Sequence, residues 1–98
     1  MGLAAEGQVT GISGATVKAL TSTDTPCRRV WVFAPMTTGG AASNTDYVRV
    51  GLKTAPVKKI APTDYEGWPI DTDNAVNVGF LANAAATTGQ KMDYQIVM

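Results

Sequence analysis

The run Cys27-Arg28-Arg29-Val30-Trp31-Val32-Phe33-Ala34-Pro35 constrains the fold of this chain more than any other stretch. β-Branched and aromatic side chains favour extended backbone, and Pro35 bounds the run. Successive side chains of a strand point to opposite faces, so Val30, Val32 and Ala34 share one face and Trp31 and Phe33 the other. Both faces are apolar. That predicts a strand inside a two-layer β structure or at a subunit contact, not one face of a freely solvated hairpin.

The remaining segments predict the same architecture. Residues 1–7 are rich in Gly and Ala and offer little apolar area, which predicts a loose N-terminal arm ahead of a single domain over 8–98. Two short strands are expected around Ser13-Gly14, the second an edge carrying Lys18. Asp46-Tyr47-Val48-Arg49-Val50-Gly51-Leu52-Lys53 alternates with Val48, Val50 and Leu52 inward, and its valines are expected to pack cross-strand against Val30 and Val32. Pro56 and Pro62 leave room for a short edge strand between them. Trp68-Pro69-Ile70-Asp71 reads as extended, because a residue before proline avoids the helical region. Residues 75–82 predict a strand with Val76, Val78 and Phe80 inward and Asn77 and Gly79 outward. A last strand over 91–98 places Met92, Tyr94 and Ile96 on one face. No amphipathic segment reaches helical length, so the fold expected is all-β, a small antiparallel β-sandwich or barrel-like domain.

Composition narrows what such a domain does. The 98 residues suffice for one domain and bury only a modest core. Eight cations balance eight anions, and charged residues make up 16% of the chain against about 25% in typical domains. Charge opposes association, so a neutral, charge-poor chain suits either life in an assembly, such as a homo-oligomer, dimer or trimer, or a surface that Thr, Asn, Gln and Ser keep soluble. The opening residues carry neither a basic region nor an apolar core, so no export leader is expected, and no apolar run is long enough to span a membrane.

Candidate chemistry is sparse. The chain has no histidine and one cysteine, Cys27, which removes the usual neutral-pH base and the His/Cys metal sites. Neither a nucleophile elbow nor a phosphate-binding glycine loop occurs. Asp64, Glu66, Asp71 and Asp73 are the one group of carboxylates, and turn-forming roles account for them better than calcium or catalysis. No enzyme, cofactor or metal is therefore expected. Trp31, Tyr65 and Trp68 form the aromatic candidates for an interface. Stacking of nucleic-acid bases needs a positive groove alongside, which these scattered, balanced charges do not supply. Trp68 reads as a plug over the open end of the sandwich or an interface anchor. Arg28 and Arg29 either grip a partner's carboxylate or phosphate or lie over Trp31, and the polar connection with Thr37 and Thr38 is expected to project as a contact surface.

Arg28-Arg29-Val30-Trp31-Val32, Tyr47-Val48-Arg49-Val50-Gly51, Gly67-Trp68-Pro69-Ile70-Asp71 and Met92-Asp93-Tyr94-Gln95-Ile96 follow one another in an order that resembles small β-sandwich proteins of tailed bacteriophages. These are the capsid decoration, or cement, proteins and the head-fibre base proteins. The resemblance implies a non-enzymatic virion protein that binds the major capsid protein in many copies, is made in the host cytoplasm and resides on the capsid surface. It extends over about residues 8–97, and the present chain differs by a longer loop over 37–45 and an added one over 82–89. A neck, tail or fibre-adaptor component and a carbohydrate-binding module using Trp68, Tyr65 and Asp71 are the alternatives.

Overall fold

The computed structural model describes residues 3–85 and 87–98, with Leu3 and Ala4 described through their backbone only. Eight strands follow in order: β1 (Leu3–Ile12), β2 (Lys18–Ala19), β3 (Arg29–Phe33), β4 (Val48–Leu52), β5 (Lys58–Ile60), β6 (Trp68–Asp71), β7 (Val78–Ala82) and β8 (Gln90–Val97), with a single 3-10 turn at Ala75–Asn77 before β7. They form two four-stranded sheets of order β1-β8-β3-β6 and β2-β7-β4-β5. Every pairing is antiparallel. The architecture is thus the expected all-β, sandwich-like fold.

The core lies between the sheets. Val30, Val32, Ile70, Met92 and Ile96 from the first sheet and Val48, Val50, Ile60, Val78 and Phe80 from the second are buried in one cluster. Burial of such side chains stabilises a fold by roughly 1.5–3 kcal/mol each before entropy is charged against it. The burial pattern of β3 alternates as the sequence predicts, with Val30 and Val32 sealed and Trp31 and Phe33 half-buried. Its valines nevertheless do not meet Val48 and Val50 as cross-strand neighbours. β3 and β4 belong to different sheets, and their valines enter the core from opposite sides. Period-two alternation identifies a buried face, but it is the same whether the neighbour is across a strand pair or across a sandwich.

Three further segments differ from expectation. Residues 3–7 are not a loose arm: they belong to β1 and pair with β8, with Ala5 opposite Ile96 and Gly7 opposite Tyr94. Backbone hydrogen bonding to a buried strand holds a segment whose own side chains offer little area. Met1 and Gly2 of that arm, and Ala86 of the 82–89 loop, lie outside the described residues. Residues 75–77 form a 3-10 turn and not the start of a strand, because the Asn74 side chain accepts the Val76 amide at 3.1 Å and the Thr25 amide at 2.9 Å. Ala75 is buried and Val76 only half-buried as a result. Gly79 stands in the outward row of β7 but is buried, since Lys53 and Val17 lie on it; a Cβ there would come 2.7 Å from the Lys53 Cα. Leu52, expected inward, ends β4 and is 47% exposed.

Candidate docking surface

On the outer face of the first sheet the odd residues of β3 form a row. Arg29 lies opposite Asp71 of β6, Trp31 between Pro69 of β6 and Gln95 of β8, and Phe33 opposite Asp93 of β8. Arg29 Nε donates to Asp71 Oδ1 at 2.6 Å, and its guanidinium carbon stands 5.8 Å from the Trp31 ring centroid. The hydrogen bond from Arg29, and then its charge, hold the Asp71 carboxyl below the usual carboxylate range, while the same bond raises the guanidinium. Arg29 is thus engaged within the molecule. Arg28 is exposed at the strand mouth, its amide donating to the Val97 carbonyl at 2.8 Å.

Phe33 packs on the backbone of Gly67, where φ is +97° and a Cβ would fall 2.5 Å from the ring. Only glycine fits there without displacing the ring. Beyond Phe33 the surface opens into a shallow groove of about 540 Å³, with Phe33, Tyr65, Tyr94 and Met36 as its apolar lining and Glu6 and Asp93 as its carboxylates. Gln95 lines the groove and also faces Trp31, so groove and row are contiguous. Gly7 leaves room for Tyr94, since a Cβ there would approach the tyrosine oxygen to 2.8 Å. Asp93 Oδ1 accepts from Gln8 Nε2 at 2.8 Å across β1 and β8.

The groove is bordered by a small hairpin. Met36 bridges to Ala42, the Thr37 amide donates to the Ala41 carbonyl at 2.7 Å, and the Gly40 amide donates to the Thr37 carbonyl at 2.9 Å. Thr37 and Thr38 are exposed at its tip. The returning limb is clamped to β8 by two buried amides. Asn44 donates to the Lys91 carbonyl and accepts the Lys91 amide, both at 2.7 Å. Gln90 Oε1 accepts the amides of Thr45 at 2.9 Å and Asp46 at 3.1 Å, while its Nε2 donates to Thr45 Oγ1 at 3.1 Å and the Thr88 carbonyl at 2.8 Å. The connection expected to project therefore does so as an ordered element.

Of the residues singled out in the sequence, the structure gathers Arg29, Trp31, Tyr65, Thr37 and Thr38 around this face. Trp68 is separate. It lies in register with buried Val32, at the side of the sandwich where β6 and β5 are the edges, and Lys58 Nζ covers its ring at 4.2 Å. Trp68 is 41% exposed, so it lies against that side of the sandwich without being sealed into it as a plug. The four acidic residues do not converge: Asp71 and Asp73 flank a smaller hollow of about 290 Å³ beside Lys53, and Asp64 and Glu66 do not line it. Among the described residues no group of three or more His, Cys, Asp or Glu is placed to hold a metal. Cys27 is buried with its Sγ 3.4 Å from the Thr72 carbonyl, and burial, followed by the charge of Asp73, pushes the thiol up and disfavours the thiolate. Phe33, Met36, Tyr94, Glu6 and Asp93 escaped sequence reasoning as groove residues, because only the order β1-β8-β3 brings them together.

The surface can bind by shape, aromatic contact and hydrogen bonding to its carboxylates. In comparisons with known protein families, curated proteins and solved structures, nothing matched this chain.

Proposed function

We propose that this chain is a non-enzymatic virion structural protein, a capsid decoration protein that attaches in many copies to the outer shell and stabilises it. The observation that carries the reading is the aromatic row of Trp31 and Phe33 on one sheet face, running into a groove lined by Met36 and Tyr65, in a chain of zero net charge. An aromatic face whose Arg29 and Asp71 neutralise each other suits repeated docking on a protein lattice of the major capsid protein. The order of the sequence segments around Val30, Val48, Trp68 and Tyr94, which resembles that of tailed-phage cement proteins, points the same way. Arg29, held by Asp71, orients Trp31 and is not spent on a partner's phosphate.

The purified protein should bind empty capsids of its cognate phage and raise their rupture temperature, and Trp31→Ala should fold and lose that binding. No association at micromolar protein sinks the reading, and labelling confined to one vertex transfers it to a neck, tail or fibre adaptor. The groove favours a second reading, since aromatic rings beside carboxylates are also the chemistry of sugar recognition. It rests on Tyr65, Tyr94, Glu6 and Asp93, with Trp68 and Asp71 engaged elsewhere. A flat glycan-array profile removes it.

A further inference from the structure

A sheet edge offers unpaired backbone groups to any other strand, and proteins blunt such edges with short strands, prolines and lysines. Among the described residues the two sheets end in four edge strands, and three of these carry those devices. β2 is two residues long. β5 has three residues, two of them lysines, between Pro56 and Pro62. β6 has four residues, with Pro69 among them. β1 has none of these: it is the longest strand, at ten residues, and contains neither proline nor lysine.

The open part of β1 can be delimited. Its register with β8 is interrupted between Leu3 and Ala5 and again between Val9 and Ile12, and residues 5–9 form the regular run between the two irregularities. Past that run, Lys18 of β2 donates from Nζ to the Thr10 carbonyl at 2.7 Å and guards the edge there. Among the described residues no strand lies on the outer side of residues 5–9. Ala5, Glu6, Gly7 and Gln8 are all exposed.

We propose that two copies of this chain join edge to edge along residues 5–9 about a two-fold axis, making one continuous eight-stranded sheet. An antiparallel partner must itself present an open edge, and the described residues present one such edge, so the contact is isologous. The run is self-compatible in charge. Glu6 is its one ionised side chain, and pairing centred on Gly7 sets Glu6 opposite the second copy's Gln8, so no carboxylate faces another. The zero net charge of the whole chain removes long-range repulsion between copies. This dimer does not depend on the virion reading, and either can fail alone.

Sedimentation equilibrium of the full chain from micromolar to millimolar concentration tests it. The expected result is a mass approaching twice the 10.2 kDa of one chain. The double variant E6K/Q8K changes two exposed positions and sets like charges opposite each other, so it should sediment as a monomer with an unchanged far-UV circular dichroism spectrum. In the unmodified protein, amide exchange over residues 5–9 should slow about tenfold or more as the dimer forms, a readout that does not need the variant to fold. A monomer throughout the range, a natively folded E6K/Q8K dimer, or exchange over residues 5–9 that ignores concentration overturns the proposal.

Discussion

Gln90 illustrates how one buried polar side chain can carry a loop. It is 3% exposed and its amide satisfies four partners on the 36–47 connection and the 82–89 loop. Replacing it by leucine keeps most of the volume but leaves the amides of Thr45 and Asp46 without acceptors. Each buried group left unsatisfied costs about 1–3 kcal/mol. Gln90→Leu should therefore lower the unfolding free energy by about 1–3 kcal/mol, read as a lower urea midpoint at unchanged slope, with faster exchange at Thr45 and Asp46. An unchanged midpoint would mean that water replaces the side chain. Sequence alternation begins the last strand at Lys91, one residue past Gln90, and the clasp was not legible because Thr45 and Asp46 lie more than forty positions away in the chain.

Asp46 joins two elements in the same region. Its carboxylate accepts from Thr87 Oγ1 at 2.9 Å, from the Tyr47 amide at 2.8 Å and from Asn83 Nδ2 at 3.3 Å, tying the 82–89 loop to the entrance of β4. The Thr87 bond is the largest cause, followed by the Tyr47 amide, of a carboxyl held below its usual range. A depressed folded-state value means that the stabilisation is present in full above the unfolded value, near 3.9, and is lost as pH falls through the folded one. Asp71, lowered by Arg29, acts in the same direction. Stability should therefore be flat from neutral pH to about 5 and fall below about 4. Asp46→Asn should flatten that acid limb in thermal melts recorded against pH. A limb unaltered by the substitution would assign it to other carboxylates. At this scale the short edge of β5 and the extended Trp68-Pro69 segment were legible from their prolines. The 3-10 turn was not, because Val76 and Val78 have the same alternation in a strand as in a turn that leads into one.

For the molecule as a whole, the connectivity is non-local. β1 pairs with β8, β8 with β3, β3 with β6, β2 with β7 and β7 with β4; only β4 and β5 are consecutive partners. Loop closure must be completed before such pairings repay it, which slows folding. Stopped-flow refolding followed by tryptophan fluorescence should have its main phase between about a millisecond and a few seconds. A microsecond relaxation would contradict the pairing scheme. The same connectivity accounts for the groove, since β8 stands between β1 and β3 and sets Glu6 and Asp93 beside Phe33.

The sequence by itself determined that this chain is all-β, that β3 and β4 each bury a valine face, and that Trp31 and Phe33 occupy the opposite face. Those properties follow from alternation and from where glycine and proline interrupt it, and both are local. Tertiary structure alone decided that β3 and β4 lie in different sheets, that residues 3–7 are a strand, and that Trp68 lies exposed under Lys58 at one side while Trp31 is half-buried on the outer face of the first sheet. Each of those depends on which strands become neighbours. Neighbour choice is settled by packing and backbone pairing between segments far apart in the chain, and no local pattern records it.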